Sequence, residues 1–326
     1  VMNMSDKDYT YAVARIRSLE LSLFSASTLE QLIGCADYES AVTFLLEHGW
    51  GDPQGETDAD AILRWEREKT WETIQEMVKD MTPFDVLSYQ NLFHNLKAAI
   101  KGVCTEHVDP GLFYEGCSIS PEEMVRIVKE KDFASLPEFM RQAAKEAYET
   151  LLHGRDGQLC DVILDRAALE AIAGAGEKSR VQIIKDYARS LIVVSDIRIA
   201  VRCCRTGKPL EFMKRAMAEC EELNIQKLMQ AALQGEGAIR DYLTQNGMGE
   251  AAEALAQSSS AFECWCDNQL METIRPQKYN PFSVGPLIAY ILARENEIKS
   301  VRIILTGKQN HFPENAIRER MREMYV

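Results

Sequence analysis

A pattern that returns every 101 residues constrains this chain more than any other feature. Asn95-Leu96-Lys97-Ala98-Ala99, Asp196-Ile197-Arg198-Ile199-Ala200 and Glu297-Ile298-Lys299-Ser300-Val301 share one plan: polar, aliphatic, basic, variable, small or aliphatic. A second echo precedes each copy, in the same order: Trp71-Glu72-Thr73-Ile74, Leu169-Glu170-Ala171-Ile172 and Met271-Glu272-Thr273-Ile274. Downstream, the later copies close on Thr206-Gly207 and Thr306-Gly307, and the first closes near Gly102. Helices reuse few residue types, so a single match would mean little. Two ordered matches at nearly constant spacing predict three homologous units of ~100 residues, longer than a solenoid repeat of ~20–50. The boundaries fall at 1–107, 108–208 and 209–326. Each unit is large enough to own a core, and three in tandem predict a pseudo-threefold arrangement.

The apolar spacing within the units is helical. Ala12, Ile16, Leu19 and Leu23 share a face, as do Tyr89, Leu92, Phe93, Leu96, Ala99, Ile100 and Val103, at the i, i+3, i+4, i+7 spacing of a buried stripe. Ser120-Pro121-Glu122-Glu123 reads as an N-cap serine, a proline in the first turn and a capping-box glutamate. Thr82-Pro83-Phe84-Asp85 reads as a similar cap. Breaks are expected at Gly51-Asp52-Pro53, Asp109-Pro110-Gly111, Gly154 to Gly157, Gly207-Lys208-Pro209 and Asn246 to Gly249. Two β-branched runs, Leu191 to Val194 and Arg302 to Leu305, have helical flanks and read as buried helix. With only 10 prolines and 18 glycines in 326 residues, a turn-rich β fold is disfavoured. The expected class is all-α.

Acidic residues number 50 and basic residues 37, a formal charge of −13. That balance argues against a nucleic-acid groove, where affinity comes from neutralising phosphates, and against direct docking on an anionic bilayer. The longest uncharged stretch, Tyr279 to Ala293, holds Pro281 and Pro286 and is shorter than the ~20 residues of a membrane span. The opening Val1 to Thr10 is polar and charged, unlike a signal peptide. Nine scattered cysteines read as reduced thiols in a helical core. Cys264 and Cys266 have no C-x-x-C partner pair for a zinc site. Gly174-Ala175-Gly176-Glu177-Lys178-Ser179 misses the phosphate-loop order because Glu177 intervenes before the lysine; it reads as a glycine-rich turn. Gly235-Glu236-Gly237 lacks the third glycine of a dinucleotide fingerprint. His94 lies beside the repeated pattern, where the other copies carry Ser195 and Asn296, and it reads as a satisfied polar residue. No acid, base and stabiliser assemble from the sequence. An enzyme would require an enclosed acid–base cluster in a pocket. Neither a cofactor nor a small-molecule substrate is expected.

The repeated helices carry basic rows: Lys97 and Lys101, Arg198 and Arg202, then Lys299 and Arg302. Like charges four apart on one helix repel by a few tenths of a kcal/mol. Either the rows pair with acids of a neighbouring helix or stay solvated, or they line a surface where units meet and a partner docks. Glu297 joins this candidate set as a partner for ion pairs.

The C-terminal region carries a longer pattern. It runs Pro286-Leu287-Ile288-Ala289-Tyr290, Ala293-Arg294-Glu295-Asn296-Glu297-Ile298, Val301-Arg302-Ile303-Ile304-Leu305-Thr306-Gly307-Lys308, Ile317-Arg318-Glu319-Arg320 and Tyr325-Val326. Together with Tyr11-Ala12-Val13-Ala14-Arg15-Ile16-Arg17, it resembles the C subunit of the V-type (A/V-type) ATP synthases and ATPases, related to the d subunit of the eukaryotic V-ATPase. Asn296 and Met321 are small departures from that pattern. The resemblance implies an all-helical funnel of three similar subdomains without catalytic activity. It implies a rotor component between the central-shaft subunits and the membrane proteolipid ring, which moves protons or sodium ions. Such a protein is cytoplasmic and peripheral on the membrane through its complex. Lys97, Lys101, Arg198, Arg202, Glu297, Lys299 and Arg302 are then the candidate subdomain or partner interface. A helical scaffold of an unrelated complex would share the composition but would not be expected to carry the C-terminal pattern.

Overall fold

A computed structural model describes residues 9–326; the start of the polar opening segment lies outside the described residues. The described residues are 75% helical, and no strand occurs among them. Sixteen α-helices are described: α1 (Thr10–Glu20), α2 (Ala26–Ile33), α3 (Tyr38–Glu47), α4 (Ala59–Met77), α5 (Tyr89–Cys104), α6 (Pro121–Glu130), α7 (Glu138–Gly154) and α8 (Gly157–Lys178). They continue as α9 (Gln182–Thr206), α10 (Leu210–Ala216), α11 (Ile225–Gln234), α12 (Glu236–Gln245), α13 (Gly249–Gln257), α14 (Ser259–Ile274), α15 (Gly285–Gln309) and α16 (Glu314–Arg318).

The helices start and stop where local chemistry directs. Ser120 Oγ accepts the Glu123 N–H at 3.2 Å, capping α6 with Pro121 in its first turn. Asp37, Asp58, Asp156, Asn224 and Ser258 cap five other helices in the same way, each satisfying an N–H that the helix cannot. All five expected breaks fall at junctions between α-helices, the second of them holding a short 3-10 turn, Pro110–Leu112. Both β-branched runs are helical, in α9 and α15. Three local expectations need correction. Thr82–Ser88 is a 3-10 helix leading into α5; Pro83 suits the first turn of either helix type. Helix α1 stops at Glu20, so Leu23 is buried in the turn beyond it. Gly174 to Lys178 is no turn, because α8 runs through it. A Cβ on Gly176 would lie 2.6 Å from Ala188 Cβ, so the glycine serves close helix packing.

The chain forms two compact units. One comprises the described part of residues 1–81 with 181–183 and 248–326; the other comprises 82–180 and 184–247. In the first unit α15 packs against α1, α2, α3, α4, α14 and α16. From Gly285 to Arg294 every residue of α15 is buried, which explains its unbroken apolar run. Its later turns place Ile298, Val301, Ile304 and Leu305 among Leu32, Leu45, Ile62 and Leu63. In the second unit α5 packs on α6, α7 and α8. Leu92, Phe93, Leu96 and Ile100 meet Met124, Ile127, Met140 and Leu164 there. A smaller cluster of Leu169, Ile192 and Ala218 joins α8, α9 and the chain after α10.

The three helices that carry the echo, α5, α9 and α15, end in a closure that α3 and α6 also use. The N–H of His107 donates to the Gly102 carbonyl at 2.9 Å, that of Lys208 to Cys203 at 2.9 Å, and that of Phe312 to Gly307 at 2.8 Å. The residue before each donor is left-handed: Glu106 (φ 56°), Gly207 (φ 63°) and His311 (φ 55°). This is the Schellman closure. Glycine adopts it freely, whereas a residue with Cβ carries a cost of ~1–2 kcal/mol. The isoleucines of the second echo, Ile74, Ile172 and Ile274, are each 0% exposed.

Candidate functional site

The first residue of the 101-residue echo is buried in all three copies: Asn95, Asp196 and Glu297 are each 0% exposed. Each stands within the buried face of its helix and fastens a distant stretch of backbone. Asn95 Oδ1 accepts the Tyr114 N–H at 2.9 Å, and Asn95 Nδ2 donates to the Tyr114 carbonyl at 2.8 Å. Asp196 Oδ1 accepts the Ala218 N–H at 3.0 Å. Glu297 Oε2 accepts the Phe24 N–H. Such bonds hold connecting chain that has no ladder of its own.

Around Glu297 the anchor grows into a charged node. Arg294, one turn earlier on α15, donates Nη1 to Glu297 Oε1 and Nη2 to Glu66 Oε2 on α4. Its Nε donates to Thr70 Oγ1 at 3.1 Å, and its guanidinium lies 5.2 Å from the Trp50 ring centroid. Glu66 Oε1 accepts the Gly51 N–H at 3.0 Å and Lys69 Nζ at 2.7 Å. Two carboxylates are therefore met by two cations. Burial works against the Arg294 charge, but Glu297 and Glu66 hold its pKa above the ordinary value. Burial also pushes Glu297 upward, against the pull of Arg294 and the Phe24 N–H. Every carboxylate oxygen of the node has a protein partner. This is an enclosed cluster, but it is saturated and has no open valence toward a substrate. Its chemistry is cross-linking: it ties α15 to α4, to the Gly51 turn and to Phe24.

Four of the basic residues lie further out and meet acids of other helices. Lys97 pairs with Asp165 at 2.5 Å and Lys101 with Asp161 at 2.6 Å, joining α5 to α8. Lys299 reaches Asp267 on α14 at 2.5 Å, a carboxylate shared with Arg322 at 2.8 Å. Arg302 meets Asp60 at 2.7 Å with both side chains largely exposed. Arg202 is exposed on α9, and Arg198 lies on the same helix. Glu297 is apart from these rows, inside the Arg294 node. Sequence reasoning selected the basic residues and passed over Asn95, Asp196, Arg294 and Glu66. The available signal was a polar residue recurring three times beside an aliphatic one in an apolar stripe.

Among the described residues no group of three His, Cys, Asp or Glu side chains converges as a metal site. All nine cysteines are free, and burial pushes the Cys160, Cys117 and Cys220 thiols up to about 11, away from the reactive thiolate. His94 Nε2 lies 2.9 Å from the Leu112 carbonyl, a satisfied histidine. No helix of the described residues is long and apolar enough to cross a membrane.

A sequence model of the ATP synthase (C/AC39) subunit family matches residues 12–320. The chain belongs to that family. The family is a non-catalytic part of its ATPase complex. Known relatives include the C subunit of the V-type sodium ATPase of Enterococcus hirae, 23% identical over 317 residues, covering 95% of this chain and 97% of the relative. The C subunit of the A-type ATP synthase of Halobacterium salinarum is 23% identical over 362 residues, 95% and 96% covered. That of Methanocaldococcus jannaschii is 22% identical over 352 residues, 95% and 85% covered. The chain is therefore a rotary-ATPase subunit that partners other subunits of such a complex. The Pro286–Lys308 pattern that resembles this family forms α15, so its Arg294 and Glu297 are packing residues of the first unit.

Proposed function

We propose that this family member is a central-stalk rotor subunit that passes torque from the central-shaft subunits to the membrane proteolipid ring. The family match over nearly the whole chain carries this reading. Stiff helical packing and cross-linking by buried anchors support it, since a coupler must transmit force without yielding. On this reading the chain is cytoplasmic and peripheral, reaching the membrane only through the ring. We also retain the three-unit organisation, 1–107, 108–208 and 209–326, arranged as a pseudo-threefold funnel. The recurring buried anchors support the repeat.

The decisive experiment is reconstitution. Tagged shaft subunits should recover the proteolipid ring only when this protein is present. Equal recovery without it overturns the coupling role. The charge of −13 is complementary to a basic shaft, so shaft binding should weaken as salt rises; binding unchanged from low to high ionic strength removes that part. Lys97, Lys101, Arg198, Arg202, Glu297, Lys299 and Arg302 form the proposed interface set, with the exposed Arg202 and Arg302 as its partner-facing members. Charge reversal of Arg302 that leaves rotor assembly intact removes that residue from the set.

A further inference from the structure

Asp196 is the one member of the three anchors whose chemistry is unfinished. Its Oδ1 takes the Ala218 N–H. Its Oδ2 is buried without a hydrogen-bond partner. A lone ionised oxygen in that position is costly. Asn95 solves the same problem 101 residues earlier by being neutral, accepting on one atom and donating on the other to the backbone of Tyr114. At residue 196 the group becomes neutral only when the carboxyl is protonated.

The surroundings offer little to stabilise the anion. Ala218 belongs to an apolar cluster with Leu169 and Ile192, against which Ile199 and Cys220 pack. Arg166 from α8 and Cys220 from the chain after α10 interact electrostatically with Asp196. Arg166 is already committed to Glu170 at 2.7 Å and the Lys214 carbonyl at 2.6 Å. The Cys220 thiol is itself pushed up to about 11 by burial and is neutral. By contrast, Glu297 owns a buried arginine.

We propose that Asp196 is a proton-operated latch: protonated, it fastens the chain around Ala218 to α9, and ionised, it loosens that attachment. Burial pushes this carboxyl up to about 7, with the Ala218 N–H and Arg166 opposing. The latch therefore changes state near neutral pH. The native state holds the proton more tightly than the unfolded chain. Its contribution is full below the ordinary aspartate range and is lost as pH rises through about 7. The latch goes beyond the rotor reading and does not depend on it.

The test uses the full chain in isolation. Asp196→Asn installs the Asn95 solution. The wild-type thermal midpoint should fall relative to the variant between about pH 5 and pH 8, by on the order of 5 °C. Hydrogen-exchange protection of the Ala218 amide should fall over the same range in wild type and stay level in the variant. Parallel pH profiles, or a variant less stable at the alkaline end, overturn the latch. If the variant does not fold, a carboxyl-carbon NMR titration of wild-type Asp196 decides: a midpoint near neutrality upholds the latch, and one below about 5 overturns it.

Discussion

The surroundings of Glu297 in one unit and of Asp196 in the other solve one problem in opposite ways. Both are carboxylates, both are 0% exposed, and both hold a backbone N–H from a distant segment. Glu297 stays in a network: Arg294 bridges it to Glu66, and Thr70, Lys69 and the Trp50 ring complete the shell. Asp196 has one bond and one unpartnered oxygen. Desolvation is the largest influence at both sites; at Glu297 a buried arginine opposes it directly, and at Asp196 the opposition comes from the Ala218 N–H and Arg166. The difference teaches that the same repeated position tolerates a charge only when a counter-charge is buried with it.

The comparison breaks most visibly at Arg294. Arg294→Met leaves two buried carboxylates without their shared cation and should destabilise the protein by about 3–5 kcal/mol, read by denaturant unfolding. A loss under about 1 kcal/mol would mean the node is not charged as described. Asn95→Asp should convert the neutral anchor into a second unfinished one. It should destabilise by about 1–3 kcal/mol at alkaline pH, with the loss shrinking toward acid as the carboxyl takes up its proton. A pH-independent loss would show that an acid at this position does not titrate. Asp196→Asn should act in the reverse sense, stabilising by on the order of 2 kcal/mol above neutrality and by little in acid. Arg302→Ala is the contrasting surface case: its pair with Asp60 is exposed, so stability should change by less than about 1 kcal/mol. A larger change in thermal unfolding would place Arg302 among the anchors.

Much of the fold was legible because its rules are local. The α6 cap at Ser120, the breaks at Gly154 to Gly157 and at Gly207-Lys208-Pro209, and the helical reading of Leu191 to Val194 depend on neighbours within a few residues. The 101-residue period was legible too, because it is a property of the string. The anchors were not. Asn95 finds its partner at Tyr114, Asp196 at Ala218 and Glu297 at Phe24, and no spacing rule for a single helix reaches that far. Lys97 and Lys101 drew attention as like charges one turn apart, yet their meaning lay in Asp165 and Asp161 on α8. The Gly174 to Ser179 stretch misled for a related reason. Its glycines predict a turn, but contact with Ala188 gives Gly176 a use inside a helix.

By itself the sequence determined that this chain is helical, where its helices break, that its pattern recurs, and that its surface is acidic. Those follow from residue propensities and from charge, which each residue carries wherever the chain goes. The tertiary structure decided which polar residues of the repeat lose water and which are given a counter-charge. The physical reason is desolvation. The free energy of a carboxylate depends on everything packed within a few ångströms, and at Glu297 that includes residues more than two hundred positions away in the chain.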